Sequence, residues 1–118
     1  VDEPFGPTVG EWLLAASTGK RDRLAAICAL LGCALPPDHL RYQLFHRTAA
    51  AVIEAARFKT DRAAMVVQSF APGHTWWGDF AAFGQHLGAT VTRGQASHLT
   101  LPSGKDLTLA WVTSTVPR

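Results

Sequence analysis

The stretch from Leu40 to Phe58 constrains this chain more than any other segment. Ala49-Ala50-Ala51 and Ala55-Ala56 give it strong helix propensity, and a helix is expected from Asp38 or Leu40 to Phe58. Stepping about 100° per residue separates its faces. Tyr42, Phe45, Ala49, Val52, Ile53 and Ala56 share one side, and Leu44, Ala51 and Ala55 widen the apolar arc. Gln43, His46, Arg47, Glu54 and Arg57 are left in one narrow polar stripe. A helix that is apolar around most of its circumference must be mostly covered. The rest of the chain has to supply that cover. With 118 residues, 47% of them apolar, the chain is long enough for one domain with a core.

The segment after this helix suits the task. Ala63 to Phe70 is short, Val-rich and almost continuously apolar at its start, as a central strand covered on both faces would be. Upstream, Thr8 stands three residues before Glu11, the capping-box spacing, and opens a short helix from Val9 to Ala16 that carries Trp12 and Leu13 inward. Ser17-Thr18-Gly19 breaks it. A second helix from Lys20 to Leu31 buries Leu24, Ile27, Cys28 and Leu31, and Gly32 stops it. Downstream, Pro72-Gly73 turns the chain and Thr75 caps a helix to Leu87, with Trp76, Phe80, Phe83 and Leu87 as its buried stripe. Residues 90–92, 97–101 and 106–112 read as closing strands, with Pro102-Ser103-Gly104-Lys105 as a hairpin turn. The expected class is α/β: N-terminal helices packed on a small mixed sheet, its central strand at about 63–70, a helix at 75–87, then the closing strands.

Charge and cysteines narrow the function classes. The net charge of +2 is far from that of a polyelectrolyte, and no apolar run approaches the roughly 18 residues of a membrane span. The chain opens Val1-Asp2-Glu3-Pro4, with no basic-then-apolar leader pattern. Cys28 and Cys33 therefore read as reduced thiols of a cytoplasmic protein. Residues 1–19 hold Asp2, Glu3 and Glu11 and no base. Residues 20–62 hold Lys20, Arg21, Arg23, Arg41, Arg47, Arg57, Lys59 and Arg62 against Asp22, Asp38, Glu54 and Asp61. An acidic head before a basic middle is either a divalent-metal site beside a phosphate-binding surface or ordinary charge scatter.

Most motifs fail. Ser17-Thr18-Gly19-Lys20 ends like a phosphate-binding loop, but Leu14 stands where the loop needs Gly and Arg21 where it needs Ser or Thr. There is no dinucleotide fingerprint and no nucleophile elbow. His39, His46, His74, His86 and His98 are scattered without zinc-ligand spacing. What remains is the polar stripe. Gln43, His46 and Arg47 lie within about one helical turn of each other. An amide acceptor, an imidazole that titrates near neutrality and a forked guanidinium together suit a phosphodiester, as catalytic or substrate-holding groups. The alternative is a solvated face, with Glu54 and Arg57 as an i, i+3 pair. Trp77 stacks on a base or packs on the final strands. Gln68, at the carboxyl end of its strand, faces a pocket or is a satisfied buried amide.

Several segments together resemble a known family: Val1-Asp2-Glu3-Pro4-Phe5-Gly6-Pro7-Thr8-Val9-Gly10-Glu11-Trp12, Arg41-Tyr42-Gln43-Leu44-Phe45-His46-Arg47-Thr48-Ala49, Val67-Gln68-Ser69-Phe70, Trp77-Gly78-Asp79-Phe80-Ala81-Ala82-Phe83 and Leu109-Ala110-Trp111-Val112. The set is similar to an uncharacterised family of small bacterial proteins with a PD-(D/E)XK, restriction-endonuclease-like core. The resemblance spans nearly the whole chain. It implies a hairpin with an Asp and a Glu-x-Lys that hold divalent metal, Mg or Mn, for phosphodiester hydrolysis. No such Glu-x-Lys stands in this sequence. The resemblance places it just before Val1, so that residues 1–118 form one unit, the C-terminal part of a larger domain. Asp2 and Glu3 would then lie at the end of the catalytic strand as metal candidates, and Gln43, His46 and Arg47 on the helix beside the centre. Two functions follow as expectations: a nuclease-related protein, incomplete as this chain, with nucleic acid as partner, or a non-catalytic binding or protein-interaction module. Loss of an edge hairpin would also leave an open sheet edge, along which self-association is expected.

Overall fold

The computed structural model describes residues 7–14, 18–69, 77–92 and 94–113. Four helices and three strands follow in the order α1 (Val9–Leu14), α2 (Thr18–Leu31), α3 (Tyr42–Arg57), β1 (Arg62–Ser69), α4 (Trp77–His86), β2 (Ala96–Thr100) and β3 (Asp106–Thr113). The α/β class, with helices leading into a small mixed sheet, is as expected.

Local chemistry sets the boundaries. The backbone N–H of Thr8 donates to Glu11 Oε1 at 2.9 Å, and that of Glu11 donates to Thr8 Oγ1 at 3.2 Å, so the capping box forms and starts α1. At the end of α2, Gly32 takes a left-handed φ of 73°. The Cys33 N–H then reaches back to the Cys28 carbonyl at 3.0 Å and the Gly32 N–H to the Ala29 carbonyl at 3.3 Å, a Schellman motif. The same paired bonds close α3, where Lys59 N–H reaches the Ala56 carbonyl and Thr60 N–H the Ala55 carbonyl. α2 begins at Thr18, so Gly19 lies inside it rather than breaking the chain.

The sheet has the order β1-β3-β2. β1 runs parallel to β3, pairing Met65 with Leu109 and Val67 with Trp111. β2 runs antiparallel to β3, pairing Ser97 with Leu109 and Leu99 with Leu107. Ala63, Met65 and Val67 of β1 and Leu107, Leu109 and Trp111 of β3 are buried. α3 packs on β1, and α2 and α4 flank α3. Phe45 of α3 meets Phe83 of α4 edge-on at 4.8 Å, and both are fully buried.

Four expectations change. β3, not the segment at 63–70, is the middle strand of the described sheet. Pairing partners are fixed by long-range packing that an apolar run does not encode. Nor is β1 covered on both faces: it alternates, and Val66 is 55% exposed. Residues 90–92 form no strand; Thr90 instead accepts a bond from Ser97 Oγ at 2.9 Å through its carbonyl. On α3 the buried set is Tyr42, Leu44, Phe45, Thr48, Ala49, Val52 and Ala55, while Ile53 is 58% exposed. The buried arc is thus rotated toward Leu44 and Thr48. Thr48 fits there by donating its hydroxyl to the Leu44 carbonyl at 2.7 Å. Among the described residues, no helix is long and apolar enough to cross a membrane.

Candidate functional site

The exposed face of α3 begins where α1 is sewn onto it. Val9 N–H donates to the Leu40 carbonyl at 2.7 Å, Gly10 N–H to the Asp38 carbonyl at 3.1 Å, and Tyr42 N–H to the Pro7 carbonyl at 3.3 Å. Thr8 and Arg41 form an isolated antiparallel bridge. This stitching lays the Trp12 ring flat on Tyr42, with centroids 3.8 Å apart and planes 9° apart. One helical turn along, His46 continues the row at 6.0 Å from Tyr42.

Two cations stand along this row. Lys20 Nζ lies 5.2 Å from the Trp12 ring centroid and donates to the Trp12 carbonyl at 3.4 Å. A cation over an indole face is attracted by the ring quadrupole. At the other end, Arg47 Nη2 donates to Gln43 Oε1 at 3.2 Å, the i, i+4 pair that helical spacing allows. Neither Lys20 nor Arg47 forms an ion pair with a carboxylate among the described residues. Arg41 contrasts with them, its Nε bonded to Asp79 Oδ2 at 3.2 Å. Among the described residues Glu54 and Arg57 make no ion pair, and both are exposed. Glu11, near the top of the row, is held below the usual glutamate range, first by the Thr8 backbone N–H, then by the Thr8 hydroxyl, with Arg41 adding attraction.

The structure therefore brings Gln43 and Arg47 into contact and sets His46 beside them. Trp77 sits elsewhere, half-buried, 5.4 Å edge-on to Trp111 and 5.8 Å from Phe80. Its ring packs on the final strand. The Gln68 backbone pairs with Val112, and its side chain lies outside the described residues. Asp2 and Glu3 also lie outside them. Among the described residues no group of three or more His, Cys, Asp or Glu could hold a metal. A separate open cleft of about 230 Å³ is lined by Pro37, His39, Leu40, Ala82, Gln85 and His86, with His86 Nε2 bonded to the Ala34 carbonyl at 2.7 Å.

Periodicity missed the parts of the row that come from outside α3. Trp12 reads as an inward residue of a short helix, and Lys20 as one of several bases. Only the docking of α1 on α3 joins them.

These features define an α/β domain whose helices cover one face of a three-stranded sheet and present a cation-flanked aromatic row on α3. Residues 1–116 match the family described as Domain of unknown function (DUF6946), and the chain belongs to that family. No curated protein matches the chain. No solved structure matches it either.

Proposed function

We propose that this domain holds the phosphate backbone of a nucleic acid on the exposed face of α3, and that it is related to the metal-dependent nucleases of the PD-(D/E)XK type. One observation carries the first part. Lys20 and Arg47 are positioned by neutral partners, the Trp12 ring and carbonyl and the Gln43 amide, and among the described residues neither charge is spent on a carboxylate. A guanidinium pinned through one N–H keeps its other donors for a phosphate. The exposed His46 ring stands beside this stack, 6.0 Å from Tyr42 and tilted by 31°, and offers a face to an unpaired base next to that phosphate. The resemblance set out above supports the kinship. It assigns the cleaving carboxylates and their Mg or Mn to the Glu-x-Lys hairpin, with Asp2 and Glu3 as metal candidates at the end of its strand, and leaves α3 the task of holding substrate.

The test is a titration of a labelled single-stranded oligonucleotide, followed by anisotropy across a range of salt. Arg47→Ala and Lys20→Ala are each expected to weaken binding and to reduce the slope of log affinity on log salt by about one. Gel analysis of the same oligonucleotide with magnesium or manganese reads cleavage separately. Binding that neither substitution changes would remove the proposal.

The open sheet favours a second reading alongside this one. Val66 of β1 is 55% exposed, on the strand whose outer edge is unpaired in the described sheet. A second copy of this chain, adding β1 to β1, would pair that edge and flank Val66. Light scattering that gives a monomer at high concentration, with no difference for Val66→Lys, would exclude it.

A further inference from the structure

Cys28 and Cys33 occupy the two positions that a Schellman motif presses together. Cys28 stands three residues before Leu31, the last residue of α2, and Cys33 is the second residue beyond it. The 3.0 Å bond from Cys33 N–H to the Cys28 carbonyl and the left-handed Gly32 between them close the turn. Apolar side chains at these two positions commonly touch. Here both are free thiols. Cys28 is buried and Cys33 is half-exposed, so an outside reagent reaches Cys33 first. The turn is braced from outside: Pro102 lies against Gly32, close enough that a Cβ there would meet its Cγ at 2.8 Å. Ala34, the residue after Cys33, is tied through its carbonyl to His86 of α4.

We propose that Cys28 and Cys33 form an oxidisable dithiol site, which a low-molecular-weight disulfide converts to an intrachain disulfide. The Cys33 sulfur attacks the reagent disulfide, and its thiol proton leaves with the first thiol released. A mixed disulfide results. The Cys28 sulfur then attacks the Cys33 sulfur, a Cys28–Cys33 bond forms, and the second reagent thiol departs with the Cys28 proton. Two protein thiols are oxidised and one reagent disulfide is reduced to two thiols.

Burial sets the character of this chemistry. It raises both thiols, and together with the neighbouring Cys28 sulfur it pushes Cys33 up to about 12. At neutral pH the reduced pair has little thiolate to stabilise it, so the reaction is slow and the disulfide, once formed, is resistant to reduction. The turn supplies what reactivity lacks, a high effective concentration of one thiol at the other. This site is independent of the α3 face and stands whether or not nucleic acid binds there.

The experiment equilibrates the whole chain with glutathione buffers of stepped redox ratio, native and in denaturing urea, quenches with an alkylating reagent and weighs the intact protein. The native wild type is expected to lose both alkylatable thiols with no adduct retained. Its dithiol–disulfide equilibrium constant is expected to exceed that of the urea-unfolded chain by about tenfold or more. Cys28→Ser is expected to stop at a glutathione adduct on Cys33, since nothing resolves it. A native chain that remains a dithiol, or that stops at the mixed disulfide, would overturn the proposal. So would an equilibrium constant no greater than that of the unfolded chain, a comparison that needs no variant to fold.

Discussion

Arg41 and Asp79 lie 38 residues apart in sequence, yet the Arg41 Nε donates to Asp79 Oδ2 at 3.2 Å. Arg41 is the N-cap of α3, and Asp79 sits in the first turn of α4, where a carboxylate also suits the helix dipole. The bond fixes where α4 begins relative to α3, with Phe45 and Phe83 meeting behind it. Both side chains are partly solvated, so its energetic weight is modest. Asp79→Asn is expected to lower stability by about 0.5–1 kcal/mol. The loss should shrink at high salt, because both the pair and the dipole term are screened. Urea unfolding at low and high salt reads both effects.

Gln43 bears no charge, so its role on the α3 face differs from that of Arg47. Its amide oxygen holds the guanidinium in one place. Gln43→Ala should weaken oligonucleotide binding by about two- to fivefold, the value of one solvent-exposed hydrogen bond. The salt slope should not change, because no phosphate contact is removed. A slope that falls by as much as with Arg47→Ala would show that Gln43 holds no separate positioning role.

Glu11 gives a pH signature. Its folded carboxyl is held below the usual glutamate range by the Thr8 N–H and hydroxyl. A carboxyl depressed on folding contributes stability that is present above its unfolded value and lost as pH falls through its folded one. Glu11→Gln keeps an oxygen acceptor for Thr8 but has no proton to gain. The gap in melting temperature between wild type and Glu11→Gln should therefore narrow as pH is lowered through the acidic range. A carboxyl NMR titration should place the Glu11 midpoint below the usual glutamate range.

Local chemistry in this chain was legible and pairing was not. The capping box at Thr8 and Glu11, the Gly32 stop and the body of α3 follow from residues close in sequence, and each stands where spacing puts it. The Gln43–Arg47 contact was legible for the same reason, as an i, i+4 pair on one helix. The run at 63–67 misled because exposed Ala64 and Val66 are as apolar as buried Met65 and Val67; an apolar residue on the surface leaves no mark in the sequence. The middle place of β3 depends on parallel pairing with a strand more than 40 residues earlier, so neither segment encodes it alone. The Trp12–Tyr42 stack and the place of Lys20 needed the docking of α1 on α3, which spans about 30 residues of chain.

Gly32 and Gly88 allow a controlled comparison of strain and contact. Both end helices with left-handed backbones, at φ 73° and 93°. A Cβ on Gly88 would meet nothing within 4 Å, whereas one on Gly32 would lie 2.8 Å from Pro102 Cγ. Gly88→Ala is expected to cost only the conformational penalty, about 1–2 kcal/mol. Gly32→Ala bears the same penalty and must also push the Pro102 ring aside, a further cost of about 1 kcal/mol or more. The ring is part of the turn between β2 and β3, where the Leu101 N–H reaches the Lys105 carbonyl at 2.8 Å, so it cannot swing away freely. Urea unfolding of both variants under reducing conditions, which keep Cys28 and Cys33 as thiols, isolates the difference. Equal losses would mean that the turn yields at no cost and does not brace the end of α2.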